Sequence, residues 1–411
     1  MILVTLFAVF GAAFVAATAL MPAVRAAALH VGAIDRPGRR RLHREITPRL
    51  GGIAVYAGAL VGLMVGVVVP SAIHPAGVEQ VFLAIVLTSM GIVLIGLIDD
   101  ARGLKAPHKL LAEVALAIVL FKAGLRIEQL ELPVVGAWTL GEVTSLVATV
   151  LWMVAVTNGF NLIDGVNGLA GGVAGVTAAG LIVLGLLVDS PVVVVLAAAV
   201  AGATLAFLRH NLRPGGIFLG DSGSLYLGLL LAAATVHLGQ SAERAIFPGA
   251  GLLLMGLPLV EVGTTVIRRT RHSRLLKRGP GGTLRFIRRE LLHADAGHLH
   301  HCLIRRGLRA GAASALLIGA AAVYCLASVS FFAVPEAGAP AYLLATAATV
   351  ACLGICRPFA PRSSWPTAAP APMPDLRVIP GGRVAAGERE IAGENMAAGE
   401  EAEADDERVA A

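Results

Sequence analysis

Eleven apolar stretches divide most of this chain of 411 residues, at 2–24, 50–69, 81–98, 107–124, 143–159, 168–188, 191–208, 224–239, 247–267, 311–332 and 340–356. Each is near the length, about 20 residues, that a helix needs to cross the hydrocarbon of a bilayer. Inside lipid the backbone must satisfy its own hydrogen bonds, which leaves helices or closed barrels. Stretches this long and apolar predict an all-α polytopic membrane protein with about eleven transmembrane helices. Only 15% of the residues are charged, against about 25% in a soluble domain. Forty-eight glycines suit helices that approach closely in lipid. The first stretch lacks a basic segment ahead of it and reads as an uncleaved anchor.

Alternating loops split the Lys and Arg residues unevenly. Thirty of the 33 fall on one side, with Lys122, Arg126 and Arg244 on the other. The positive-inside rule then places the N-terminus outside and the C-terminus in the cytoplasm. Residues 1–356 read as one transmembrane domain with a long basic cytoplasmic loop, 268–310, and residues 357–411 as a tail too polar to fold. The outer loop 125–142 alternates apolar and polar residues, as a small extracytoplasmic hairpin does.

Four polar clusters fall on the predicted cytoplasmic side. "GLIDD" closes the third stretch with Asp99 and Asp100. "NGFNLIDGVNGLAGG" spaces Asn158, Asn161, Asp164 and Asn167 three apart. "FLGDSGS" sets Asp221 ahead of the eighth stretch, and "HADAGHLHH" ends the basic loop with His298, His300 and His301. Each has a plain structural reading: a helix end, an Asn/Gly turn, an N-cap, a solvated loop. Convergence on one face is what an active site requires. Asp221 is a hard oxygen ligand suited to Mg²⁺. The histidine spacing does not fit a zinc motif, and phosphate binding or proton handling suits it better. Glu113 follows Lys109 by one turn, a self-neutralising arrangement, whereas Glu261 has no opposite charge within a turn and is expected to face a site. The four cysteines form no C-x-x-C pair, and no phosphate-binding G-x-x-x-x-G-K-[ST] loop is present, so neither a thiolate metal site nor ATP hydrolysis is indicated.

These motifs, together with "DRPGRRRLHREITPRLGGIAVYAG" and "GHLHHCLIRRG", resemble those of the polyprenyl-phosphate N-acetylhexosamine-1-phosphate transferases, in order, over residues 30–310. That superfamily also contains phospho-N-acetylmuramoyl-pentapeptide transferase. The resemblance implies transfer of a HexNAc-1-phosphate, with N-acetylglucosamine the first expectation, from a UDP-sugar to undecaprenyl phosphate with release of UMP. It implies Mg²⁺, with Mn²⁺ as a substitute, held by Asp221 and Asp99. Asp99, Asp100, Asp164, His298, His300 and His301 would be catalytic. Asn158, Asn161, Asn167, Lys109, Glu261 and Arg305 would bind substrate. The partners implied are UDP-N-acetylhexosamine, polyprenyl phosphate and membrane lipid, with no nucleic acid and a homodimer left open. The location implied is a bacterial inner membrane, with the active site on the cytoplasmic face. Family members usually carry Asp at the position of Asn167, Gln at that of Glu113 and Asp at that of Glu261. A cation-coupled transporter using Asp99, Asp164 and Glu261, a muramoyl-pentapeptide donor and a non-catalytic scaffold are the competing readings.

Overall fold

The computed structural model describes residues 1–35, 46–68, 78–132, 136–213, 215–241, 249–272, 297–334, 338–356, 376–379 and 383–386. The chain divides into two units, one of residues 1–35 and 47–366, the other of 36–46 and 367–411.

In the first unit the described residues of all eleven apolar stretches are mainly helical. Among the described residues, eight helices are long and apolar enough to cross a membrane: α1 (Ile2–Val31), α2 (Gly51–Val68), α3 (Val78–Arg102), α5 (Glu142–Ile163), α6 (Leu169–Leu187), α7 (Pro191–Asn211), α8 (Gly220–Ser241) and α12 (Ala310–Ala333). The other three stretches fall short for local reasons. Helix α4 (Ala106–Lys122) has 17 residues and begins among charges. The stretch 247–267 is broken into α9 (Gly249–Leu254) and α10 (Gly256–His272), with Gly256 and Pro258 at the break. Proline has no N–H to donate and clashes with the preceding turn. The last stretch gives α13 (Gly338–Cys356), whose apolar part, Pro340–Cys356, is below spanning length. A seven-residue helix, α11 (Leu299–Arg305), precedes α12.

Helix α8 is buried along nearly its whole length and packs against α3 and α5, while α1 packs on α2 and α7, α10 on α5, and α12 on α6 and α13. Small residues set these approaches. A Cβ on Gly96 would lie 2.4 Å from Ser222 Cα, so α3 meets the first turn of α8 backbone to backbone. Asp99 and Asp100 lie one turn further along α3 and are carried to that helix start. On the same helix, Thr235 Oγ1 accepts a hydrogen bond from Trp152 Nε1 of α5 at 3.0 Å, a polar tie that lipid strengthens little but that fixes rotation.

The hairpin expected within 125–142 is present, β3 (Gln129–Leu132) against β4 (Gly136–Thr139), antiparallel with Gln129 opposite Thr139. Two-residue strands β1 (Ile34–Asp35) and β2 (Thr47–Pro48) pair on either side of 36–45, and those ten residues of the first basic loop lie outside the described residues. Residues 273–296 of the long basic loop do as well. The tail read as unable to fold lies outside them too, except for an antiparallel hairpin in the second unit, β5 (Leu376–Ile379) with β6 (Arg383–Ala386).

Candidate active site

Helix α8 begins with backbone N–H groups that have no intrahelical acceptor, and Asp100 supplies one from another helix. Its Oδ1 accepts from the Asp221 N–H at 2.9 Å and its Oδ2 from the Ser222 N–H at 3.0 Å. Adjacent residues on a helix point about 100° apart, and Asp99 accordingly faces a different partner. Its Oδ2 accepts from Lys109 Nζ at 3.1 Å. Lys109 also donates to Asp221 Oδ2. One ammonium thus bridges carboxylates from α3 and α8. The self-neutralising pairing of Lys109 with Glu113 is replaced by this bridge. Glu113 is buried, its Oε2 accepts from Asn158 Nδ2, and its Oε1 has no hydrogen-bond partner among the described residues.

The Asn/Asp segment ends α5 and wraps the start of α8. Asn161 Nδ2 donates to Ser224 Oγ at 3.0 Å. Asp164 terminates the helix. Burial, with the Asp221 and Asp100 carboxylates nearby, pushes its pKa up to about 8. Asn167 is exposed, and its backbone carbonyl accepts from Ser314 Oγ at 3.0 Å. Asn211 holds this segment in place: Oδ1 accepts from the Gly168 N–H at 2.6 Å while Nδ2 donates to the Ile217 carbonyl at 2.9 Å. Nothing in the sequence marks Asn211, since an Asn ending an apolar helix carries no signal that distinguishes it from an ordinary boundary.

The histidines sit at the start of α11. His298 Nδ1 donates to Glu261 Oε1 at 2.8 Å, and the Leu299 N–H donates to Glu261 Oε2 at 3.0 Å. The His298 and His300 rings stack with centroids 5.9 Å apart, and His300 and His301 lie 4.2 Å apart. His300 is buried, and neither ring nitrogen has a hydrogen-bond partner among the described residues. Burial, with His301, His298 and Arg305 around it, holds its pKa well below the usual histidine range. It abuts the Asn/Asp segment: a Cβ on Gly165 would lie 2.3 Å from His300 Nε2. Arg268 donates to the Gly297 carbonyl at 2.5 Å. Arg305 donates to Cys302 Sγ at 3.2 Å. Glu261 and Arg305, both expected to contact substrate, here make their described contacts with protein.

Two carboxylates sharing one cation, Asp99 and Asp221 on Lys109, are the donor chemistry a hard divalent ion takes. Mg²⁺ is usually bound by one or two carboxylates, with phosphates and water completing the shell. Among the described residues no group of three His, Cys, Asp or Glu side chains is already arranged around one metal position. The donors fit an ion that substrate oxygens complete.

Residues 82–239, from α3 to α8, match the glycosyl transferase family 4 profile. The chain is 30% identical over 293 residues to a probable undecaprenyl-phosphate N-acetylglucosaminyl 1-phosphate transferase of Bacillus subtilis (strain 168), covering 70% of this chain and 74% of that protein. It is 33% identical over 305 residues to the decaprenyl-phosphate N-acetylglucosaminephosphotransferase of Mycolicibacterium smegmatis, covering 69% and 71%. It is 32% identical over 272 residues to a phospho-N-acetylmuramoyl-pentapeptide-transferase of Synechococcus sp. (strain JA-3-3Ab), covering 63% and 74%.

Proposed function

Because the chain belongs to glycosyl transferase family 4, with the polyprenyl-phosphate N-acetylglucosamine-1-phosphate transferases, we propose that it performs their phospho-sugar transfer. A phosphate oxygen of undecaprenyl phosphate attacks the sugar-bearing phosphorus of UDP-N-acetylglucosamine. The lipid-diphosphate sugar forms and UMP leaves. One phosphoanhydride replaces another, so no ATP is required. The observation that carries this reading is the meeting of Asp99, Asp221 and Lys109 at the ends of three helices.

The substrates bring many negative charges together, and catalysis of phosphoryl transfer is mainly positioning and charge neutralisation. Asp221 and Asp99 would hold Mg²⁺, which when bound neutralises diphosphate charge. Lys109 adds a fixed positive charge at the same place. Asp99, whose Oδ2 accepts from Lys109 and whose Oδ1 accepts from the Leu104 N–H, would take the proton of the lipid phosphate. Asp100 keeps Asp221 in place through the first turn of α8. Asn161 and Asp164 line the nucleotide side, and the α11 histidines close over the phosphates.

We further read the fold as eleven spans with the N-terminus outside, in a bacterial inner membrane, and the site on the cytoplasmic face. That position explains why carboxylates lie at helix ends: one substrate is held in lipid and the other arrives from the cytosol. A transporter is not favoured, since the acids gather at one set of helix ends rather than along a path through the membrane.

The test is purified protein in detergent with undecaprenyl phosphate and a panel of UDP-sugars, reading UMP. UMP release with UDP-N-acetylglucosamine and Mg²⁺, lost in a folded Asp221→Asn variant, is the expected result. Full activity in that variant refutes the metal assignment, and release only with another UDP-sugar corrects the donor.

A further inference from the structure

Glu261 is fully buried, in a helix that is otherwise largely apolar on its first turns. Such a carboxylate is costly to bury unless its oxygens are paired, and both are: one by His298 Nδ1, the other by the Leu299 N–H. A carboxylate only accepts, so the shared proton sits on Nδ1. The bond to Leu299 fixes the carboxylate against the first turn of α11, and hence the ring it holds. His298 in turn stacks on His300, whose ring rests on Gly165 of the Asn/Asp segment.

We propose that Glu261 is a positioning residue for the transfer reaction. It locks His298 in the Nδ1–H form, so that the ring meets the substrate phosphates through Nε2. The role toward phosphate rests on the transferase reading, whereas the tautomer stands on the Glu261 geometry. Partners of this kind fix the tautomer and orientation of functional histidines elsewhere.

The discriminating variant is Glu261→Gln. It keeps the shape but offers one acceptor and one N–H₂ group. The Leu299 N–H can only donate, so it keeps the amide oxygen. The N–H₂ group then faces Nδ1, which must accept, and the proton moves to Nε2. Glu261→Asp keeps two acceptors and the original tautomer.

The full-length protein, labelled with ¹⁵N-histidine in nanodiscs at a pH where the ring is neutral, gives the readout. His298 is assigned by its loss in His298→Gln. The wild type and Glu261→Asp should show a protonated Nδ1, and Glu261→Gln a protonated Nε2. Turnover should fall roughly 10-fold to 100-fold in Glu261→Gln, by analogy with loss of the outer partner of a metal-ligating histidine. The KM for the UDP-sugar should change little, and Glu261→Asp should restore most of the turnover. A wild-type His298 protonated on Nε2, or a tautomer that does not respond to Glu261→Gln, overturns the proposal. A tautomer that switches while turnover stays at wild-type level overturns its catalytic part. Absence of UMP release from the wild type refutes the transferase reading instead, and the nitrogen spectra still decide the pairing.

Discussion

Asp100 offers the sharpest separation of a structural from a chemical role. In Asp100→Asn the side-chain oxygen can still accept from one of the two N–H groups, at Asp221 or Ser222, but its N–H₂ group is set against the other. One charge-assisted hydrogen bond is lost, about 1.5–3 kcal/mol. The negative charge at the start of α8 is lost as well, about 0.3–1 kcal/mol, or nearer 2 in a partly buried geometry. An amide is cheaper to bury than a carboxylate, which offsets part of this. The net expectation is a destabilisation of about 1–3 kcal/mol, read as a lower thermal midpoint in detergent at a fixed scan rate. Because Asp221 is the residue displaced, Mg²⁺ should protect the variant less than the wild type. If Asp100 were instead the base that removes the lipid-phosphate proton, the variant would keep its midpoint and its protection by Mg²⁺ and lose only turnover. An unchanged midpoint with abolished UMP release would refute the capping assignment.

Lys109→Met leaves Asp99 and Asp221 facing each other without their cation. The three side chains are half-buried, so the loss is smaller than the cost, about 3–5 kcal/mol, of breaking a fully buried pair from one side. The midpoint should still fall and Mg²⁺ should raise it more than in the wild type; equal Mg²⁺ shifts would sink the shared cation position. Gly165→Val drives a side chain into His300, and should abolish UMP release with little change in helix content by circular dichroism, while normal turnover would show that α11 does not close there. With a folded pKa of about 8 against about 3.9 unfolded, Asp164 holds an extra proton in the native state between those values. Its contribution to stability is therefore full below about pH 4, falls as pH rises to about 8, and is flat above. A cation beside it competes with that proton, so divalent affinity by calorimetry should rise with pH up to about 8 and flatten in Asp164→Asn. A pH-independent wild-type affinity across that range would contradict the placement of Asp164 near the ion.

The helices were legible as apolar runs of spanning length, and the short hairpin at 129–139 as a change to period two. The polar motifs were legible because charge and amide groups are expensive inside apolar frames. Their division of labour was not. Asp99 and Asp100 are the same residue type side by side, and nothing local says that one caps α8 while the other faces Lys109. Glu113 and Lys109, four apart on one helix, read as a pair, yet Lys109 reaches two acids from other helices.

Spacing and hydropathy fix which segments enter lipid, since each residue's transfer cost is its own and adds along the chain. The partner of a buried charge is set otherwise. It depends on which helix ends are brought within three ångströms by packing of glycine-rich surfaces such as Gly96 on Ser222, an outcome of all the helices together. The pairing of Glu261 with His298, 37 residues apart, was therefore invisible until the chain was folded.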